Sequence, residues 1–197
     1  MSEVRKFFIH PQYIILTLII SGISALFLGF SAAYLYIRVQ QGVLPVNIPS
    51  LFYFNTLLII GSSITLIYAK KRYADDDTVM FKVAIWVTLI LTIFFLMMQI
   101  FAWRQLQEDN VSLDSGPLAS YLYLISGLHF LHLFAGIPFL TYFAFEAERR
   151  MKNPVTVLVY FSDPDRRRVL NLINIYWHFL DGLWIYLVLF FLVNYLI

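Results

Sequence analysis

Apolar positions along this chain collect in five long runs, at about 13–37, 51–69, 83–103, 118–145 and 170–197, with polar residues confined to the stretches between. A bilayer core about 30 Å thick takes roughly 20 residues of helix at 1.5 Å per residue, so each run is long enough to cross. The pattern predicts an all-α, polytopic membrane bundle of five transmembrane helices, with 1–197 forming a single domain. The first run is too long for a cleavable signal peptide and continues through Ala32, Ala33, Tyr34 and Arg38 into a short turn. That turn, 41–49, holds Gly42, Pro45 and Pro49, and proline ends a helix because it has no backbone donor. The polar stretches around Asp75, Asp76 and Asp77, at 105–116 and at 146–168 are expected to be water-exposed loops, none large enough for a soluble catalytic domain.

Composition agrees with the pattern. Apolar residues make up 60% of the chain and charged residues 13%, whereas soluble domains carry about 25% charge. Arg5, Lys6, Lys70, Lys71, Arg72, Lys82, Arg149, Arg150, Lys152, Arg166, Arg167 and Arg168 fall on one side of a five-span topology, and only Arg38 and Arg104 on the other. The positive-inside rule therefore predicts a cytoplasmic N-terminus, with Ile197 on the opposite side. Trp103, Tyr121, Tyr123, Tyr195 and Phe52, near span ends, are expected as interfacial aromatic anchors. No basic block interleaved with aromatics lies outside the apolar runs, so nucleic acid is not an expected partner. With no cysteine, the chain has no disulfide, thiolate metal site or covalently attached c-type haem.

Ionisable or amide side chains at membrane depth are costly and normally face protein or a cavity. Here they are Gln99, His129, His132, His178 and Asp181. His129 and His132 stand three residues apart on one helical face, with Ser126 one step further. His178 and Asp181 repeat that spacing on the last run, between Trp177 and Trp184, and two polar stripes on consecutive helices are expected to face each other. Imidazoles on facing helices suit a metal or b-type haem. The same residues also serve as hydrogen-bonding contacts between helices. A ligand set of Glu-x-x-His type is missing, and spans one to three hold no Asp or Glu, so no carboxylate relay crosses the bilayer. Small residues around Gly22, Gly29 and Gly61 allow close helix approach, and Gly136 with Pro138 is expected to loosen or kink the fourth helix. Tyr34 lies one turn before Arg38, a pairing suited to a lipid phosphate or a partner's carboxylate.

Tyr176, Trp177, His178, Phe179, Leu180, Asp181, Gly182, Leu183 and Trp184 resemble the closing-helix signature of the cytochrome c oxidase subunit III family. Ser126 to Leu133, with its Gly127-x-His129 and following His132, is similar to that family's preceding helix. The opening span resembles it too, through Leu26, Phe27, Ala32, Ala33, Tyr34 and Arg38. So do Leu44, Pro45, Asn55 to Leu58, Ser62 and Ser63, and Gln99 with Trp103. The resemblance covers all five spans and matches a short form, equivalent to the last five of the seven helices in longer relatives. Two departures stand out: Ile23 and Ala102 occupy positions where the family carries glutamates, so roles resting on those carboxylates are not carried over.

The resemblance implies a non-catalytic accessory subunit of a haem-copper terminal oxidase, in a bacterial cytoplasmic membrane. It has no haem or copper of its own, those groups belonging to the partner catalytic subunit I. It implies a hetero-oligomer with the oxidase subunits, phospholipid binding, and support of proton uptake and turnover stability. The contact residues are then His129, His132, Trp177, His178, Asp181, Trp184, Tyr34, Arg38 and Gln99. The alternative is a b-type haem membrane anchor of a quinone-linked complex, carried by His129, His132 and His178. A small transporter is the weakest reading, since no internal repeat is evident.

Overall fold

The computed structural model of the chain describes residues 10–197; Arg5 and Lys6, counted above in the charge asymmetry, lie outside the described residues. Six helices follow in order: α1 (Pro11–Gln41), α2 (Ser50–Ala74), α3 (Thr78–Glu108), α4 (Pro117–Arg150), α5 (Pro154–Ser162) and α6 (Pro164–Leu196). There is no strand among the described residues. All but α5 are long and apolar enough to cross a bilayer.

Local chemistry sets the ends. Proline occupies the first turn of α1, α4, α5 and α6, where its missing N–H would be unpaired anyway. Gly42 stops α1 in the left-handed conformation at φ 59°, which glycine adopts without steric cost. Asp77 caps α3 by accepting from the Met80 amide at 3.1 Å, and Asp163 caps α6 by accepting from the Asp165 amide at 2.9 Å. The helices outrun the apolar runs because their charged last turns extend into water, as with Lys70, Lys71 and Arg72 on α2.

Packing follows the three-to-four residue spacing of the buried positions. On α2 these are Phe52, Asn55, Ile59, Ser62, Leu66, Ala69 and Tyr73. They seat α2 against α3 along most of its length, as an antiparallel hairpin closed by the 75–77 turn. α6 packs on α2 and on α4, and α4 packs on α3, giving a closed ring of four helices. α1 leans on α4 and α6 from outside the ring. Large apolar side chains such as Leu18, Leu57, Ile90, Phe139 and Leu189 point outward from all five long helices, the arrangement a lipid solvent requires.

One expectation fails within 146–168. That stretch is not simply a water-exposed loop: 146–150 completes α4, and 154–162 forms α5, whose Tyr160 is buried. Tyr160 and Phe161 join Tyr73 and Phe81 in an edge-to-face aromatic cluster under the bundle, and this packing makes the short segment helical. Glu146, also buried, pairs with Arg150 at 3.1 Å and with Arg166 of α6.

Candidate functional site

Apart from Tyr34 and Arg38 on α1, the polar residues singled out in the sequence lie in the ring of α2, α3, α4 and α6, and two of them on α6, His178 and Trp184, find partners on α2, distant in sequence. Gln99 of α3 is fully buried, and its Oε1 accepts from the Asn55 amide nitrogen of α2 at 2.9 Å. One level along the same seam the Thr65 and Thr88 hydroxyls meet at 2.8 Å. Each such pair satisfies groups that hydrocarbon would leave unpaired, and ties one helix to the next.

The two histidine stripes do not pair with each other. His178 of α6 turns toward α2, where its Nδ1 lies 2.7 Å from the Ser63 hydroxyl. Asp181, one turn on, is buried beside Ser62 in a gap closed by Leu58, Ile59, Leu91, Thr92, Phe95 and Leu133, with no room for a water molecule. This geometry follows from the ring order, which puts α6 against α2 as well as α4. On α4, His132 contacts its own helix, Nδ1 to the Leu128 carbonyl oxygen at 2.7 Å, and its backbone oxygen accepts from the Tyr176 hydroxyl at 3.1 Å.

His129 has no solvent exposure, and neither ring nitrogen has a hydrogen-bond partner in the protein. Its ring is walled by Trp184 at 5.1 Å and Phe95 at 5.9 Å between centroids. Trp184 is the hub of this box: it packs on Phe52 and Phe95 and donates from Nε1 to Thr56 at 3.2 Å. Phe52, expected at the membrane surface, is therefore an interior residue, 1% exposed. Trp103, by contrast, holds α3 to α4 through Nε1 and the Ser126 hydroxyl at 3.0 Å. Trp177 meets Gly136 in the α4–α6 contact: a Cβ at Gly136 would stand 3.1 Å from ring carbons of both Trp177 and Tyr176. The helix continues unbroken through Pro138.

Tyr34 and Arg38 turn inward to α6 in this chain. Tyr34 is buried against Phe190 and Phe191, centroids 5.4 and 5.6 Å away, and Arg38 donates to Asn194 Oδ1 at 2.9 Å. Sequence reasoning marked Asn55, Thr56 and Ser63 only through the family resemblance, without pairing them with Gln99, Trp184 and His178, and missed Asn194. The signal was present, since each is a polar residue within an apolar run, but it carries no information on which helix lies opposite. No cluster of three or more histidine or carboxylate side chains suited to a metal ion occurs among the described residues.

What the fold and these contacts define is an integral membrane protein: a helical ring in which interior pairs such as Gln99 with Asn55 and His178 with Ser63 join helix to helix. The family model for cytochrome c oxidase subunit III matches residues 14–195, and the chain belongs to that family. It is 27% identical over 187 residues to the cytochrome c oxidase subunit 3 of Thermostichus vulcanus, covering 90% of this chain and 86% of that one. It is 25% identical over 175 residues to that of Bacillus subtilis (strain 168), covering 86% and 80%. The match to the Loxodonta africana subunit, 26% over 149 residues, takes in 75% of this chain and 52% of that longer protein.

Proposed function

We propose that this chain is an accessory subunit of a haem-copper terminal oxidase, carrying no redox group itself. It packs against the catalytic subunit, binds phospholipid, and sustains proton uptake and turnover during oxygen reduction. In this reading it sits in a bacterial cytoplasmic membrane with its cation-rich end inside. The observation that carries the reading is the use made of the interior polar side chains: His178 to Ser63, Gln99 to Asn55 and Trp184 to Thr56 join helices of this one chain. Family membership supplies the assembly.

A b-type haem would need two imidazoles aimed into one porphyrin-sized gap between helices. His129 instead fills an aromatic box, and His178 faces the Ser63 hydroxyl on another seam. The packing therefore weighs against the haem-anchor alternative. The test is to delete this subunit from its oxidase and follow haem content together with sustained turnover. The proposal expects unchanged haem per catalytic subunit and a shortened active lifetime; a stoichiometric loss of one haem would overturn it.

A further inference from the structure

Val155, Leu158 and Val159 share one face of the short helix α5 and are exposed by 74%, 68% and 63%, three large apolar side chains in one patch. The opposite face closes the end of the ring. Phe161 packs on Tyr73 of α2 at 5.0 Å and on Phe81 of α3 at 6.2 Å between centroids, and the Tyr73 hydroxyl donates to the Tyr160 carbonyl oxygen at 3.1 Å. α4 and α6 also pack on α5. A helix held by all four members of the ring lies across its end, so its other face points away from the bundle. Charge marks where hydrocarbon stops. Lys70 and Lys71 of α2, and Lys82 of α3 with its partner Glu148 of α4 at 3.1 Å, stand nearer the middle of the ring than Tyr73 and Phe81, on which α5 rests. Charges at that level belong to the headgroup region or to water, and α5 lies beyond them. Its outward face therefore meets water, where an apolar patch marks a protein contact.

One edge of the patch is cationic. A groove of about 390 Å³ beside Val155 and Val159 is lined by Arg149, Arg150, Lys152 and Arg166 against one carboxylate, Asp163. Glu146 engages Arg150 and Arg166, whereas Arg149 and Lys152 have no carboxylate partner among the described residues. Along the other edge, a groove of about 580 Å³ beside Leu158 is bordered by Lys152 again, by Asp76 and by the neutral Thr78, Asn153 and Ser162. An apolar centre with unpaired cations on its rim is complementary to an amphipathic segment whose apolar side chains are bordered by carboxylates. Permanent interfaces are more apolar than transient ones, so a face of this kind suits a permanent companion.

We infer that α5 docks an acidic amphipathic segment of another subunit of the same oxidase, outside the bilayer at the cation-rich end of the bundle. The segment's apolar side chains lie on Val155, Leu158 and Val159, and its carboxylates on Arg149 and Lys152. This inference rests on the oxidase reading.

The chain has no cysteine, so V155C, L158C and V159C each give one site for a membrane-impermeant maleimide. Labelling is measured on the full chain alone in nanodiscs and on the purified oxidase that contains it. All three positions should be labelled in the lone chain and should lose that labelling in the assembled oxidase. A water-soluble carbodiimide should link Lys152 to a carboxylate of a second subunit, read by peptide mass spectrometry. R149E/K152E breaks no ion pair of the bundle and should restore V159C labelling in the oxidase, since like charges then meet. Lone-chain positions shielded in the nanodisc would show a bilayer cover and overturn the inference. So would protection that survives R149E/K152E, or cross-links confined to this chain's own carboxylates. A chain that copurifies with no haem-bearing subunit would refute the oxidase reading and this inference with it, whereas reactive labels in a chain that does copurify would refute the docking alone.

Discussion

Gly136→Ala adds one methyl where α4 crosses α6. The new carbon would lie 3.1 Å from Trp177 and from Tyr176, inside the 3.5–4.0 Å optimum for carbon contacts. Neither ring retreats easily: Trp177 is 1% exposed, and the Tyr176 hydroxyl is tied to the His132 carbonyl at 3.1 Å. Overpacking of this kind costs about 1–3 kcal/mol, and the helix preference of alanine over glycine returns up to about 1 kcal/mol. The net expectation is a loss of about 1 kcal/mol. Gly61→Ala is the internal control, because its Cβ meets only the Leu91 Cδ1 at 3.6 Å and keeps the propensity gain. The assay is reversible unfolding of the chain in mixed micelles by titration with sodium dodecyl sulfate, followed by tryptophan fluorescence. A double-mutant cycle with Trp177→Leu should show a favourable coupling of about 1 kcal/mol, since the smaller side chain relieves the clash. If Gly136→Ala were as stable as Gly61→Ala, the close approach of α4 and α6 would be refuted.

Three further outcomes are expected. Asn55→Leu leaves the buried Gln99 amide without its donor and should cost about 1–3 kcal/mol, while the Asn55→Leu/Gln99→Leu pair should cost less than the sum; the same unfolding titration reads both. Glu146→Gln removes the carboxylate shared by Arg150 and Arg166, and should loosen the α4–α6 base by about 1–3 kcal/mol, seen as faster amide exchange in 150–166. Burial, followed by the neighbouring Glu146 carboxylate, pushes the Tyr160 phenol up from its ordinary value of 10.0. The unfolded chain therefore releases this proton first, so stability is full below about pH 10 and falls as pH rises beyond it. Tyr160→Phe should flatten that alkaline decline in a pH series of unfolding midpoints; an unchanged slope would show that Tyr160 is not its source.

The five long helices were legible because a charge-free run of membrane length admits few other structures, and the family signature around His178 marked where the polar interior lies. The helix ends were not, since 70–74, 104–108 and 146–150 are charged turns that water tolerates equally as helix or loop. α5 was hidden for a different reason. Its Pro-Val-Thr-Val-Leu-Val-Tyr-Phe-Ser run is short and rich in β-branched residues, and becomes helical by seating Tyr160 and Phe161 beneath Tyr73 and Phe81. Likewise His178 and Gln99 stood out as groups at membrane depth, while Ser63 and Asn55 entered only through the family resemblance, with nothing to pair them with those two. Ring order, with α6 beside α2, decides those pairings, and chain order does not encode it.

The most direct test of the central claim is the visible spectrum of this chain purified by itself, recorded oxidised and dithionite-reduced after expression in haem-sufficient cells. A subunit whose imidazoles at membrane depth hold no haem shows no Soret band. A stoichiometric Soret band that disappears in His129→Ala or His178→Ala would contradict the account.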